Sequence, residues 1–133
     1  MYAHVLAVAV ALASPPLEGP IVDVVARLAG KEATACGIVR LKQDSVEPLV
    51  CASRHLLPKN AFWVAVQIQG EDSFLWRAAA QSVDGKTWIV RFDSDITGGS
   101  PRGPKPLLEV IPCPDLEISP DERPVISCPN AWR

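Results

Sequence analysis

The fold is decided by residues 61–93, which read AFWVAVQIQGEDSFLWRAAAQSVDGKTWIVRFD. Three stretches of this segment alternate between apolar and other side chains, and a period of two is typical of half-buried strands. The apolar positions that carry the pattern all have even numbers: Phe62, Val64, Val66, Ile68, Phe74, Trp76, Ala78, Ala80, Trp88, Val90 and Phe92. We therefore predict a three-stranded antiparallel meander with one continuous apolar face.

The shared parity also constrains the two hairpin turns of this meander. Even positions face each other across an antiparallel pair only when the connecting loop has an odd number of residues. Gly70-Glu71-Asp72 and Val83-Asp84-Gly85 each supply a three-residue loop, and Gly85 suits a left-handed position. The sequence thus predicts two short hairpins that keep all even positions on one face.

A helix is predicted over residues 20–29, before the meander. Ile21, Val24, Val25 and Leu28 recur at helical spacing on one side, and Gly30 is a good end point. Such a helix would cover the apolar face of the sheet. Residues 49–57 fit either a short helix or a strand.

The fold class predicted from these patterns is α+β. An N-terminal helix packs on an antiparallel β-meander, and a proline-rich, disulfide-tethered C-terminal tail follows, with one further strand over residues 107–111.

Length and composition favour one small globular domain. A chain of 133 residues with 48% hydrophobic and 21% charged residues can bury a real core. The formal net charge is −2, and no dense basic face is present. A nucleic-acid binder normally needs such a face to displace counterions, so we exclude nucleic acid as a partner.

The N-terminal apolar run, Val5 to Ala13, predicts a cleaved signal peptide. It has nine residues without charge, whereas a membrane span needs about 20. Ala11-Leu12-Ala13 offers small residues at both positions that signal peptidase reads. We predict a signal peptide over residues 1–13, a mature domain over residues 14–133, no membrane span and a secreted or periplasmic location. The alternative is that the run from Val5 to Ala13 forms a buried strand or helix of the domain itself.

Four cysteines support export, because an even number in a short exported chain indicates disulfides. We favour the pairs Cys36–Cys51 and Cys113–Cys128, since each closes a short local loop. A structural zinc site is the rival interpretation, but such sites usually bring ligands in pairs two to four residues apart. No Asn-x-Ser/Thr glycosylation acceptor occurs, which favours a bacterial chain.

No motif in the chain predicts catalysis, a cofactor or a resident metal. The segment that begins Asp93-Ser94-Asp95 resembles the start of a calcium loop, yet Pro104 stands where that loop needs Glu, so a turn is favoured. Asp93 and Asp95 also suggest a small hydrolase, as an alternative, with the two carboxyl groups as acid and base.

The segment Gln67-Ile68-Gln69-Gly70 resembles the inhibitory Gln-x-Val-x-Gly hairpin of cystatins. The resemblance covers these residues only, the spacing from Gln67 to Gly70 is one residue short, and no second Pro-Trp hairpin follows. We therefore do not transfer the inhibitory function to this chain on that basis.

The candidate binding residues are Trp63, Gly70 and Glu71. On the predicted register, Trp63 lies on the odd face near Leu75 and Ile89. These three residues either form a shallow apolar binding patch or lie beneath the proline-rich tail, and the second alternative is favoured. We predict a non-catalytic secreted or periplasmic protein of the binding or inhibitor type. It would bind an extracytoplasmic protein or envelope component. A structural protein of the cell envelope is the next alternative, and the oligomeric state stays open.

Overall fold

The computed structural model describes residues 19–123 and 125–130, and the α+β class is confirmed. It contains two helices and a five-stranded mixed sheet in a small single domain. The predicted signal peptide, residues 1–13, lies outside the described residues. No helix in the described part of the chain is both long and apolar enough to cross a membrane.

The sheet is built from five strands in the order β1-β2-β3-β4-β5. Strand β1 is parallel to β2, and every other neighbouring pair is antiparallel. Strands β6 and β7 form a separate two-stranded ribbon. The elements in chain order are α1 Ile21–Ala29, β1 Thr34–Val39, α2 Val46–Leu56, β2 Phe62–Ile68, β3 Leu75–Gln81, β4 Thr87–Asp93, β5 Leu107–Pro112, β6 Glu117–Ile118 and β7 Ile126–Ser127.

The predicted turn of the β3–β4 hairpin is confirmed. The Ser82 amide donates to the Lys86 carbonyl at 2.9 Å and closes the three-residue loop Val83-Asp84-Gly85. Gly85 has a φ of +83°, a left-handed conformation that glycine adopts without a steric penalty. Even positions of β3 therefore face even positions of β4.

The predicted turn of the β2–β3 hairpin is wrong. Ile68 pairs with Leu75, so the loop comprises residues 69–74 and has an even number of residues. Even positions of β2 consequently face odd positions of β3, as in the pair Val64 and Ala79. The physical reason is that helices cover both faces of the sheet. An apolar alternation marks one core face only when the other face meets water.

Helix α1 covers one face of the sheet, the α1 face. Its residues Ile21, Val25 and Ala29 are buried there. The small side chains of β2 and β3 allow the helix to approach closely. The sheet residues of this core are Ala65, Trp76, Ala78, Ala80, Val90 and Phe92, with Trp63 and Trp88 partly buried beside them.

Helix α2 and the β6–β7 ribbon cover the opposite face, the α2 face. Both predicted disulfides lie on this side and are confirmed: Cys36–Cys51 joins β1 to α2, and Cys113–Cys128 joins the chain after β5 to the end of the ribbon. Arg77 also holds the ribbon, because its Nη1 donates to the Ile126 carbonyl at 3.2 Å. The sheet residues of this core are Val39, Phe62, Val64, Val66, Ala79 and Ile89.

Candidate functional site

Three loops meet at one end of the sheet, which we call the loop end. They are residues 40–45 after β1, residues 69–74 between β2 and β3, and residues 94–106 between β4 and β5. The parallel β1–β2 pair and the antiparallel meander bring these connections to the same edge. The β3–β4 turn, residues 82–86, lies at the other end, which we call the hairpin end.

The 69–74 loop is held in place by hydrogen bonds to its neighbour. The Phe74 amide donates to Ser94 Oγ at 2.7 Å, and the Ser94 amide donates to the Phe74 carbonyl at 3.0 Å. Gly70 packs so closely that a Cβ there would lie 2.5 Å from the Ser73 carbonyl oxygen. The backbone of the loop is therefore fixed, while the Phe74 side chain stays exposed.

The 40–45 loop is bound to the sheet by one glutamine side chain and is closed on itself by another. The Leu41 amide donates to Gln67 Oε1 at 3.2 Å, and the Arg40 amide donates to Gln43 Oε1 at 2.9 Å. Gln67 belongs to the segment that resembles the cystatin hairpin. In the structure it lies in β2 and positions Leu41.

The 94–106 loop is organised by the Asp95 carboxylate. This carboxylate accepts hydrogen bonds from the Thr97 hydroxyl and from the amides of Thr97, Gly99 and Lys105, at 3.0, 3.0 and 3.1 Å for the three amides. The Thr97 hydroxyl, followed by these amides, lowers the pKa of Asp95 to about 2. Asp93 Oδ1 accepts from the Asp95 amide at 2.9 Å. Both aspartates thus act as acceptors that shape a turn, and Asp95 holds no proton to donate at neutral pH.

Apolar side chains at the loop end are unusually exposed. Leu41 is 38% exposed and Phe74 is 47% exposed. Together with Ile68 they line a hollow of about 410 Å³ between the 40–45 and 69–74 loops. Glu71 and Asp72 stand at its rim. The loop end therefore offers a hollow of mixed lining, with three apolar side chains and two carboxylates.

The structure brings two of the three predicted binding residues to this hollow. Gly70 and Glu71 line it, whereas Trp63 does not. Trp63 lies on the α1 face, in register with Ala80, where it packs beside α1.

The predicted patch of Trp63, Leu75 and Ile89 is therefore not formed. The even-numbered β2–β3 loop places Leu75 and Ile89 on the α2 face, and Ile89 is fully buried there. Sequence reasoning also missed Phe74, which was assigned to the buried even face. Its position next to a polar, glycine-containing loop is the signal that could have identified it.

A second concavity lies at the hairpin end, with a volume of about 750 Å³. Trp88 and residues of α2 and of the chain after β5 form its apolar walls. Lys59 and Lys86 are its two cationic residues. Its apolar lining residues are Leu56, Leu57, Trp88, Pro112, Pro114 and Leu116.

Comparison of the chain with protein-family models, with curated proteins and with solved structures finds no match.

Proposed function

We propose that this protein is a non-catalytic binding protein of the secreted or periplasmic space, and that the loop end contacts its partner. One observation carries the proposal: Phe74 is 47% exposed although its backbone is fixed by two hydrogen bonds to Ser94. Aromatic side chains that are presented on a rigid scaffold are frequent energetic centres of protein interfaces. Fixing the loop in advance lowers the entropy that is lost on binding.

The chemistry of the hollow favours a basic partner segment. Leu41 and Phe74 can pack against the aliphatic stem of a lysine or arginine, and the ring face of Phe74 attracts its cation. Glu71 and Asp72 supply negative charge at the rim. The proposed ligand is therefore a protein segment with an arginine or lysine flanked by apolar residues.

The rigidity of the scaffold supports the same role. Both disulfides close loops within a small domain, and one of them spans the 40–45 loop. Three loops on a disulfide-linked sheet form a site that changes little on binding, as in pre-organised complexes.

The test is selection of peptides from a phage-displayed random library on the disulfide-intact protein. We expect enrichment of sequences with arginine or lysine between apolar residues. Phe74→Ala and Glu71→Ala should each weaken binding of the selected peptides about tenfold, which corresponds to loss of roughly 1.4 kcal/mol. Isothermal calorimetry on synthetic peptides measures the affinity.

Val83→Ala is the matched control for this experiment. Val83 is 72% exposed but lies in the turn at the hairpin end. Trp63→Ala tests the remaining predicted contact on the α1 face. Peptides that bind Phe74→Ala and Glu71→Ala as tightly as the wild-type protein would refute the proposal.

The concavity at the hairpin end supports a second candidate function, binding of a small amphipathic anion. Its apolar walls with Lys59 and Lys86 suit a molecule with a hydrocarbon body and a carboxylate. Titration with decanoate tests this, and Lys59→Ala and Lys86→Ala should weaken binding while Phe74→Ala should not. Equal affinity of all variants would refute a specific site.

Two further proposals are a structural protein of the cell envelope and a small hydrolase. A structural envelope protein would sediment with cell-wall material and show no discrete partner. A hydrolase that uses Asp93 and Asp95 would lose its activity in Asp95→Asn. The hydrogen bonds to the Asp95 carboxylate favour its role in the turn over this one.

A further inference from the structure

We infer that the Cys36–Cys51 disulfide is a site of thiol–disulfide exchange, whereas Cys113–Cys128 is a permanent structural bond. The two bonds form an internal comparison. Each joins cysteines 15 residues apart, and the Cα–Cα distances are 5.6 and 5.8 Å. Loop closure therefore contributes the same amount of stability to both bonds on the chain-entropy model. Any difference in their reactivity must come from their surroundings.

Exposure is the first difference between the two bonds. Cys36 and Cys51 are both partly exposed, on β1 and on α2. Cys113 and Cys128 are 0% and 1% exposed and belong to the core of the α2 face. A thiolate must reach a sulfur atom to exchange with it, so the buried bond reacts only after local or global unfolding.

Charge is the second difference between them. His55 lies one helical turn after Cys51, and its Nδ1 is 4.0 Å from Cys51 Sγ. The same nitrogen donates to the Cys51 carbonyl at 2.8 Å, which holds the ring in place. A ring N–H donor fixed this close to Sγ stabilises a departing Cys51 thiolate.

The buried bond has a carboxylate beside it instead. Asp115 Oδ1 lies 3.6 Å from Cys113 Sγ and 3.4 Å from Cys128 Sγ. A carboxylate at this distance repels an attacking thiolate and destabilises a departing one. Charge and exposure therefore favour exchange at the same bond.

The co-reactant is a thiol, and the reaction proceeds in two balanced steps. Its thiolate attacks Cys36 Sγ, a new sulfur–sulfur bond forms there, and the Cys36–Cys51 bond breaks to release the Cys51 thiolate beside His55. A second thiolate then attacks the sulfur of the first co-reactant in this mixed disulfide and releases the Cys36 thiolate. The protein disulfide is reduced to two thiols, with protons taken from solvent, and two thiol molecules are oxidised to one disulfide.

Exchange at this bond releases a defined part of the fold. The segment between the two cysteines contains the 40–45 loop, which the bond ties at both ends to β1 and α2. Leu49 and Ala52 of α2 are buried in the core, so we expect α2 to remain packed on the sheet after the bond opens. This inference does not depend on the loop end being a binding site.

The experiment is timed reduction of the native, oxidised protein with reduced glutathione at a fixed pH. Free thiols are blocked by iodoacetamide at each time point and assigned by peptide mass. We expect Cys36–Cys51 to be reduced at least about tenfold faster than Cys113–Cys128, and the first glutathione adduct to lie on Cys36. Because both disulfides meet the same reagent, the thiolate fraction of glutathione cancels from the ratio of their two reduction rates.

His55→Gln and Asp115→Asn are the paired variants. His55→Gln should slow reduction of Cys36–Cys51 by about threefold, since the glutamine side chain does not keep the ring donor fixed beside Cys51 Sγ. Asp115→Asn should leave that bond unchanged. Equal reduction rates of the two wild-type bonds, or earlier reduction of Cys113–Cys128, would overturn the inference. That wild-type comparison remains decisive even if a variant fails to fold.

Discussion

Phe74 and Ser94 are joined by two hydrogen bonds, from the Phe74 amide to Ser94 Oγ at 2.7 Å and from the Ser94 amide to the Phe74 carbonyl at 3.0 Å. They continue the β3–β4 pairing by one residue pair beyond Leu75 and Asp93. The backbone of Phe74 is thereby held like a strand residue, although its side chain is 47% exposed. Rigidity and exposure of the same aromatic residue are the basis for placing the binding site at the loop end.

Ser94→Ala tests whether this pairing fixes the loop. The variant removes the acceptor of the Phe74 amide but keeps the backbone bond from the Ser94 amide. We expect the free energy of unfolding to fall by about 0.5–1.5 kcal/mol, the usual contribution of one hydrogen bond. Hydrogen exchange should accelerate at the Phe74 amide and stay unchanged at the Val90 amide in the centre of the sheet. Unchanged protection of Phe74 would show that the hydroxyl does not fix the loop.

Gly70→Ala tests the close packing within the same loop. A Cβ at this position would lie 2.5 Å from the Ser73 carbonyl oxygen and 3.2 Å from Leu75 Cγ, so the backbone of the loop must shift. We expect destabilisation by about 1–3 kcal/mol in urea unfolding, as for other overpacked sites. Gln69→Ala is the control, because this exposed neighbour should change stability by no more than about 0.5 kcal/mol. Wild-type stability of Gly70→Ala would show that the loop adapts without strain.

The parts of the fold that were predicted correctly depend on local chemistry. Helix α1 follows from its apolar spacing and Gly30, and the β3–β4 turn follows from the left-handed preference of Gly85. The cysteine pairs follow from the short loops that they close. Each of these signals acts over a few neighbouring residues, so no knowledge of the tertiary structure was needed.

The parts that were missed depend on which surfaces are covered. Residues 49–57 fit a helix or a strand, and only the structure shows that α2 connects β1 to a parallel β2. With α2 on the second face, both sides of the meander are buried, and the alternation could not assign Trp63 to a face. The loop residues Gly70 and Glu71 were identified as a turn, but Phe74 was assigned to the core. Its bond to Ser94 links residues 20 positions apart, so the polar, glycine-containing loop beside Phe74 was the one local signal of its exposure.

Asp95 gives the protein a stability that depends on pH. Hydrogen bonds from the Thr97 hydroxyl and from loop amides lower its pKa from 3.8 to about 2 in the folded state. The folded-state pKa lies below the unfolded one, so the carboxylate stabilises the fold fully above about pH 4. That contribution is lost as the pH falls through about 2.

The measurement is the urea midpoint of the wild-type protein and of Asp95→Asn between pH 2 and pH 7. We expect the wild-type protein to be more stable at pH 7, and the difference to shrink toward zero near pH 2. Asp84→Asn is a useful comparison, because a hydrogen bond from Ser82 also lowers the pKa of Asp84. A difference between wild type and Asp95→Asn that stays constant over this range would refute the assignment.

Gln81 holds the end of α2 to the sheet and is the buried polar residue on which we expect stability to depend most. It is 2% exposed, and its Nε2 donates to the carbonyls of His55 and Asn60 at 3.1 and 2.9 Å. The last carbonyls of a helix have no partner within the helix, so a side-chain donor satisfies them. Gln81→Met keeps the length of the side chain and removes both donors. We expect a loss of about 1–3 kcal/mol in the free energy of unfolding, because two carbonyls lose a bond in a partly buried setting.

Gln67→Met is the matched control for Gln81→Met. Gln67 also bonds a backbone group, the Leu41 amide, but in an exposed setting where water can replace it. Loss of the Gln67 hydrogen bond should therefore lower the free energy of unfolding by less than loss of the Gln81 hydrogen bonds. Urea unfolding of both variants, followed by far-UV circular dichroism, gives the two free energies under the same conditions. An equal or larger loss of unfolding free energy in Gln67→Met would mean that burial of the helix end is not what makes Gln81 important. It would also mean that the 40–45 loop contributes more to the stability of the sheet than its exposure suggests.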